Sequence, residues 1–153
     1  MESDEERPLL YLEDLQVGRR FMTASYVLDA EAIQAFARQF DPQPFHLSAA
    51  AAQATLFGGL AASGWHTAAL TMRLIVESGP RLAGGVIGAG AELSWPKPAR
   101  PGDVLQVEGE VLAVRVSQSR PGRGVLTMRC ETRNQRGELV QTLTANLMIL
   151  CRP

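Results

Sequence analysis

The sequence predicts an α+β fold in which an antiparallel sheet wraps around one long central helix. Residues 63–78 (SGWHTAALTMRLIVES) carry apolar side chains around every face, which is the pattern of a helix buried in a core. From Gly85 onward the hydrophobic period changes to two, the signature of half-buried strands. The order of elements is one strand, a helical region, the long helix and then four strands, without the βαβ alternation that builds a parallel sheet.

Taken in order, residues 1–17 read as an acidic lead segment and residues 18–153 as a single domain. A chain of 153 residues is near the usual size of one domain and buries roughly 70% of its unfolded surface. Its 46% hydrophobic and 20% charged residues fit a soluble globular protein and not a disordered or coiled-coil chain. Residues 19–28 hold enough aromatic and β-branched side chains for a strand. Asp29 suits the N-cap of a helix in which Ile33, Phe36, Ala37 and Phe40 fall at i, i+3, i+4 and i+7. That helix stops near Phe40, because Pro42 and Pro44 disfavour helical geometry before them. Residues 41–45 are therefore expected as a stiff loop. Ser48 caps a short alanine-rich helix running to about Ala54, broken by Phe57-Gly58-Gly59. After the long helix, alternation at Leu105, Val107 and Val111, at Leu126, Met128 and Cys130, and at Leu143, Leu147 and Ile149 marks strands. Their joints are rich in Pro, Gly and Asn.

Charge and targeting signals exclude several functions. Fifteen Lys plus Arg against 16 Asp plus Glu give a net charge of -1, with no basic excess to hold a phosphate backbone, so nucleic acid is not an expected partner. The N-terminus MESDEERPLL is acidic where a signal peptide would be basic, and no apolar run approaches the ~20 residues of a membrane span. A cytoplasmic protein without membrane contact is expected. Cys130 and Cys151 lack metal-ligand spacing and read as buried, reduced thiols. A wrapped sheet leaves an unpaired edge, so pairing of two copies edge to edge, as a homodimer, is expected.

The chain has two histidines, His46 and His66. His46 ends the segment Asp41-Pro42-Gln43-Pro44-Phe45-His46, where a carboxyl and an imidazole lie on a segment stiffened by two prolines. Such a pair moves protons near neutral pH. The same residues would equally serve as a turn cap at Asp41 and a helix cap at His46. Gly64 stands where the buried helix begins, and either close packing or its backbone N–H would account for a glycine there. His66 and Trp65 either line a pocket or hold the helix in place. Trp95 reads as core or dimer interface. Ser63 suits the helix cap, accepting from the N–H of His66.

Asp41, Pro44 and His46 resemble the D-x-N-P-x-H motif of the MaoC-like dehydratases and (R)-specific enoyl-CoA hydratases. The likeness continues through residues 57–64 (FGGLAASG), in the place of that family's glycine-bearing turn, and through Lys97-Pro98-Ala99-Arg100-Pro101-Gly102-Asp103, similar to its K-P-V-x-x-G-D turn. The resemblance implies a hot-dog fold and a hydro-lyase acting on an enoyl or 3-hydroxyacyl thioester, with coenzyme A the expected carrier. It implies catalytic roles for Asp41 and His46 and an oxyanion-stabilising N–H at Gly64. Gln43, Phe45, Ser63, Trp65 and His66 would then contact substrate. The sequence departs from the family at Gln43, in place of Asn, at Ser63, in place of His, and at Met72, with Thr71 beside it, in place of a serine. No metal and no cofactor is implied, coenzyme A entering only as part of the substrate. Arg100, Arg120 and Arg123 are turn arginines that either meet its phosphates or remain solvated. Two other readings share the fold: a thioesterase, which usually carries its acid on the central helix where this chain has only Glu77, and a non-catalytic acyl-binding module.

Overall fold

Strands β5 (Val104–Val116), β6 (Arg123–Arg133) and β7 (Leu139–Leu150) alternate apolar and polar residues, and they form the middle of a five-stranded antiparallel sheet of order β2-β5-β6-β7-β4. The outer strands are β2 (Arg20–Val27) and β4 (Ile87–Ser94). The structure, a computed structural model, describes residues 7–153; the first part of the acidic lead, residues 1–6, lies outside the described residues. A short parallel pair, β1 (Leu9–Leu10) with β3 (Arg81–Leu82), brings the rest of the lead onto the core, where Leu10, Leu12 and Leu15 are buried.

Helix α4 (Gly64–Ser78) lies in the curl of this sheet. Its inner side places Leu74 and Ile75 against Val107, Val111, Leu126, Met128, Leu147 and Ile149. A second apolar cluster joins Leu70 to Ile33 of α1 (Ala30–Phe40), to Leu28 and Leu105, and to Val140 of β7. This second cluster seats the helical region over the N-terminal half of α4, where the candidate residues lie. Among the described residues no helix is long and apolar enough to cross a membrane.

The structure corrects several local expectations. Trp65, Met72 and Val76 are 59%, 40% and 52% exposed, so α4 is not buried all round; the sheet covers one side and leaves a strip open. Phe40 lies outside the core at 69% exposure, because α1 ends there and the chain turns away at Asp41. Residues 41–45 are not loop throughout: Pro44 begins a one-turn helix, α2 (Pro44–Leu47), at the first-turn position where its missing N–H costs nothing. The alanine helix α3 (Ala49–Ala52) ends before Ala54. Ser63 does cap α4, but its hydroxyl accepts from Trp65 N–H at 3.3 Å, while His66 N–H bonds the Ser63 carbonyl at 3.0 Å. Cys130 is buried, with burial pushing its thiol up to about 12. Cys151 follows β7 and is only half-buried.

One polar seam crosses this apolar core. Thr71, on α4 and fully buried, shares a hydrogen bond of 2.6 Å with Thr132 of β6 and accepts another of 2.9 Å from Gln141 Nε2 of β7. Replacing Thr71 by valine keeps the shape but strands the Gln141 amide, so Thr71→Val is expected to cost about 1–3 kcal/mol of folding stability. Chemical denaturation checks this; an unchanged midpoint would show that the seam does not hold the helix to the sheet.

Candidate active site

Three short backbone constraints bring Asp41 and His46 together. Asp41 caps the end of α1, its N–H donating to the Ala37 carbonyl at 2.9 Å. Gln43 N–H then donates to the Asp41 carbonyl at 2.8 Å, turning the chain so that Pro44 can start α2. The turn of α2 points His46 inward, where it is 4% exposed; the imidazole is therefore a core group and not a loop side chain. Phe45 meets its ring edge-on at 4.6 Å and Phe57 lies 5.8 Å away. Ala61 completes the frame, its N–H donating to the Phe45 carbonyl at 3.1 Å and its carbonyl accepting from His46 Nδ1 at 2.7 Å.

That last bond fixes the orientation of the ring. A carbonyl oxygen only accepts, so Nδ1 carries a hydrogen and Nε2 is the nitrogen left to exchange a proton at the cleft. Nε2 lies 3.3 Å from Asp41 Oδ2. The other carboxylate oxygen, Oδ1, accepts from Gln43 Nε2 at 2.6 Å, so Gln43, expected to contact substrate, here holds the Asp41 carboxylate. Burial by itself pushes the Asp41 carboxyl up, but hydrogen bonds from Gln43 and the Ser63 hydroxyl, with His46 alongside, outweigh it and hold the group below its ordinary value. Asp41 is thus ionised at neutral pH.

His46 opens onto a cleft of about 190 Å³ lined by Phe57, Gly64, Thr67, Trp95 and Val140 among others. Gly64 is the first residue of α4, so its N–H has no partner within the helix, and no other acceptor meets it among the described residues. The positive end of the helix lies at the same place. Gly64 is also required sterically: a Cβ there would stand 2.6 Å from the Trp95 ring. The glycine thus both presents an unpaired N–H at the cleft and makes room for the indole, which an alanine would displace.

Asp41, Gln43, Phe45, His46 and Ser63 converge, with Gly64 beside them. Trp65 and His66 are placed elsewhere. Trp65 is exposed and meets Trp95 edge-on at 5.2 Å. His66 stacks on Phe36 at 4.7 Å, and burial pushes its imidazole pKa down; its Nδ1 is buried without a hydrogen-bond partner among the described residues. Met72 lies on the open strip of α4, and Thr71 is committed to the seam. Arg100 is a staple: its guanidinium donates to the carbonyls of Phe57 at 2.5 Å and Gly59 at 2.9 Å, fixing the segment that puts Phe57 over His46. Arg120 lies exposed before β6 and Arg123 begins it, at the end of the strand away from the cleft. Sequence reasoning missed Phe57, Thr67, Trp95 and Val140. Thr67 was recoverable, lying one helical turn from Gly64. Val140 carries no distinguishing signal. Among the described residues no cluster of three or more His, Cys, Asp or Glu could hold a metal ion.

The sequence matches the MaoC like domain over residues 14–132. In structure the chain is similar to a MaoC-like dehydratase from Rhodospirillum rubrum, at 61% identity and TM-score 0.92, covering 94% of this chain and 99% of that one. It is similar also to the R-hydratase PhaJ1 from Pseudomonas aeruginosa, at 30% identity and TM-score 0.73, covering 93% and 86%. In sequence it is 33% identical to a 3-hydroxybutyryl-CoA dehydratase from Methylorubrum extorquens, over 69% of this chain and 66% of the relative. The hot-dog architecture expected from the motifs is the one present: an antiparallel sheet around a central helix.

Because the Asp41 value is held down in the folded protein, its contribution to stability is fully present above the ordinary carboxylate value of 3.8 and is lost as pH falls through the lower folded value. Asp41→Asn is expected to flatten the fall of Tm below about pH 4. Melting curves of the two proteins that stay parallel across that window would contradict the electrostatic description.

Proposed function

The chain belongs to the family of MaoC-like domains, and from that premise we propose that it is a hydro-lyase, adding water to a trans-2-enoyl thioester of coenzyme A or eliminating it from a 3-hydroxyacyl thioester. One observation carries the reading: Asp41 Oδ2 and His46 Nε2 face each other at 3.3 Å. With the imidazole in its neutral form both atoms are acceptors, and each takes one hydrogen of a single water. Water held in that way presents its oxygen lone pairs outward, ready to attack.

In hydration the water oxygen forms a bond to the β-carbon while one of its protons passes to His46 Nε2. The π-electrons of the double bond move through the α-carbon to the thioester oxygen, giving an enolate. Gly64 N–H and the N-terminus of α4 stabilise that charge. A proton returned from the Asp41–His46 pair to the α-carbon then restores the thioester. The imidazolium formed in between donates Nε2–H to Asp41. Since one pair serves both carbons, hydroxyl and hydrogen arrive on the same face. Elimination follows the same path backward.

The relatives favour this chemistry over a thioesterase, and so does the placement of acids. Glu77 is the acid of α4, but it is exposed and paired with Arg73 at 2.9 Å, near the end of the helix away from Gly64.

Loss of the 2-enoyl chromophore on incubation with crotonyl-CoA tests the assignment. Asp41→Asn and His46→Ala should each lower kcat by ~10²–10⁴-fold while the protein stays folded. Unchanged turnover in a folded variant of either kind would overturn the roles given to the pair.

The same reading includes a homodimer. Strand β4 has β7 on one side only, and its residues are exposed apart from the half-buried Leu93. Unpaired backbone groups along such an edge favour pairing with a second copy. Light scattering should give twice the 16.6 kDa chain mass; a stable species of the single mass at micromolar concentration would contradict it.

A further inference from the structure

Trp95 follows the edge strand β4 and is 40% exposed, with its ring forming part of the cleft wall. It lines the cleft beside His46 and Gly64, with ring carbons standing 2.6–2.9 Å from where a Gly64 Cβ would be. Its Nε1–H donates to Gln141 Oε1 at 2.9 Å. Gln141 is fully buried, and its Nε2 donates in turn to Thr71 Oγ1, which bonds Thr132. The indole N–H is a donor only, so the amide has a single orientation that satisfies both ends. The Trp65 ring meets the indole edge-on at 5.2 Å, a second contact holding it. If the ring swung outward, the Gln141 carbonyl oxygen would be left buried without a partner, a state folded proteins avoid.

We propose that Trp95 is a specificity-determining residue, a wall latched by Gln141 that restricts the acyl group to short chains; this rests on the acyl-thioester reading above. A wall free to move would adapt to a longer chain, whereas one tied into a satisfied buried network excludes it. The cleft volume of about 190 Å³ is below the ~300–1,000 Å³ of sites that enclose larger ligands. Gln141 acts here as a positioning residue, its Oε1 holding the indole while its Nε2 belongs to the seam with Thr71.

The test compares kcat/KM for trans-2-enoyl-CoA substrates of four and ten carbons. The wild type should prefer the shorter by at least ~tenfold, and Trp95→Ala should shift the ten-to-four ratio upward by at least ~tenfold, the scale on which pocket walls discriminate chain size. Trp95→Phe, which keeps a ring but loses the latch, should fall between them. Gln141→Leu should raise the same ratio, whereas a merely structural defect would lower kcat/KM for both substrates alike and leave their ratio unchanged. A ratio in folded Trp95→Ala within twofold of the wild type overturns the proposal.

A second measurement does not depend on turnover. The chain has two tryptophans, so Trp65→Phe leaves Trp95 as the sole emitter. Titration with butanoyl-CoA, which is not hydrated, should change its emission, and coenzyme A alone should not. If no enoyl thioester is hydrated but emission responds, the hydro-lyase reading fails and the acyl wall stands. If butanoyl-CoA leaves the emission unchanged up to millimolar concentration, the wall is overturned whatever the activity.

Discussion

Everything at the site depends on how α4 is seated in the curl of the sheet. Apolar burial alone would allow the helix to slide or turn, because dispersion and hydrophobic contact are weakly directional. The Thr71–Thr132–Gln141 seam removes that freedom by tying one turn of the helix to two adjacent strands. With the register fixed, Gly64 N–H stands beside His46, and the Trp95 indole packs against the glycine. A polar seam in an apolar core is costly when incomplete and specifying when every member is paired, and here the recorded bonds pair all three side chains and the indole.

The second level of control is electrostatic. His46 is buried, yet its ring orientation and tautomer are set by one backbone carbonyl, that of Ala61, 15 residues away in sequence. Asp41 is kept ionised by the Gln43 amide and the Ser63 hydroxyl against the effect of burial. Neither restraint lies on a flexible segment: Ala61 is pinned to Phe45, and the preceding residues are stapled by Arg100. The fold thus delivers a carboxylate and an imidazole 3.3 Å apart without rearrangement at each turnover, which is how preorganisation lowers a barrier.

Much of this was legible in the sequence, for identifiable reasons. Alternation along β5, β6 and β7 survives because one face meets the core and the other meets solvent. Asp41 and His46 stood out because chemistry-bearing residues are few and two prolines limit the chain between them. The exposure of Trp65, Met72 and Val76 was not legible, since an apolar residue reads alike against a sheet or on an open strip. Arg100 looked like any turn arginine, because its partners are main-chain carbonyls some 40 residues earlier in the chain. The place of Trp95 at the cleft was not legible for a similar reason: it is set by Gln141, 46 residues later, and pairings at that separation leave no periodic trace.

The account comes down to one water shared by one acid–base pair, and stereochemistry tests that most directly. Hydration of trans-crotonyl-CoA in deuterium oxide would place deuterium on the α-carbon and deuteroxyl on the β-carbon, and proton coupling in the released 3-hydroxy acid reports their relative geometry. Addition of both to the same face is the result expected if Asp41 and His46 serve both carbons. Addition to opposite faces would require a second proton donor across the cleft, and release of free coenzyme A without addition would place the attack at the carbonyl; either result contradicts the account.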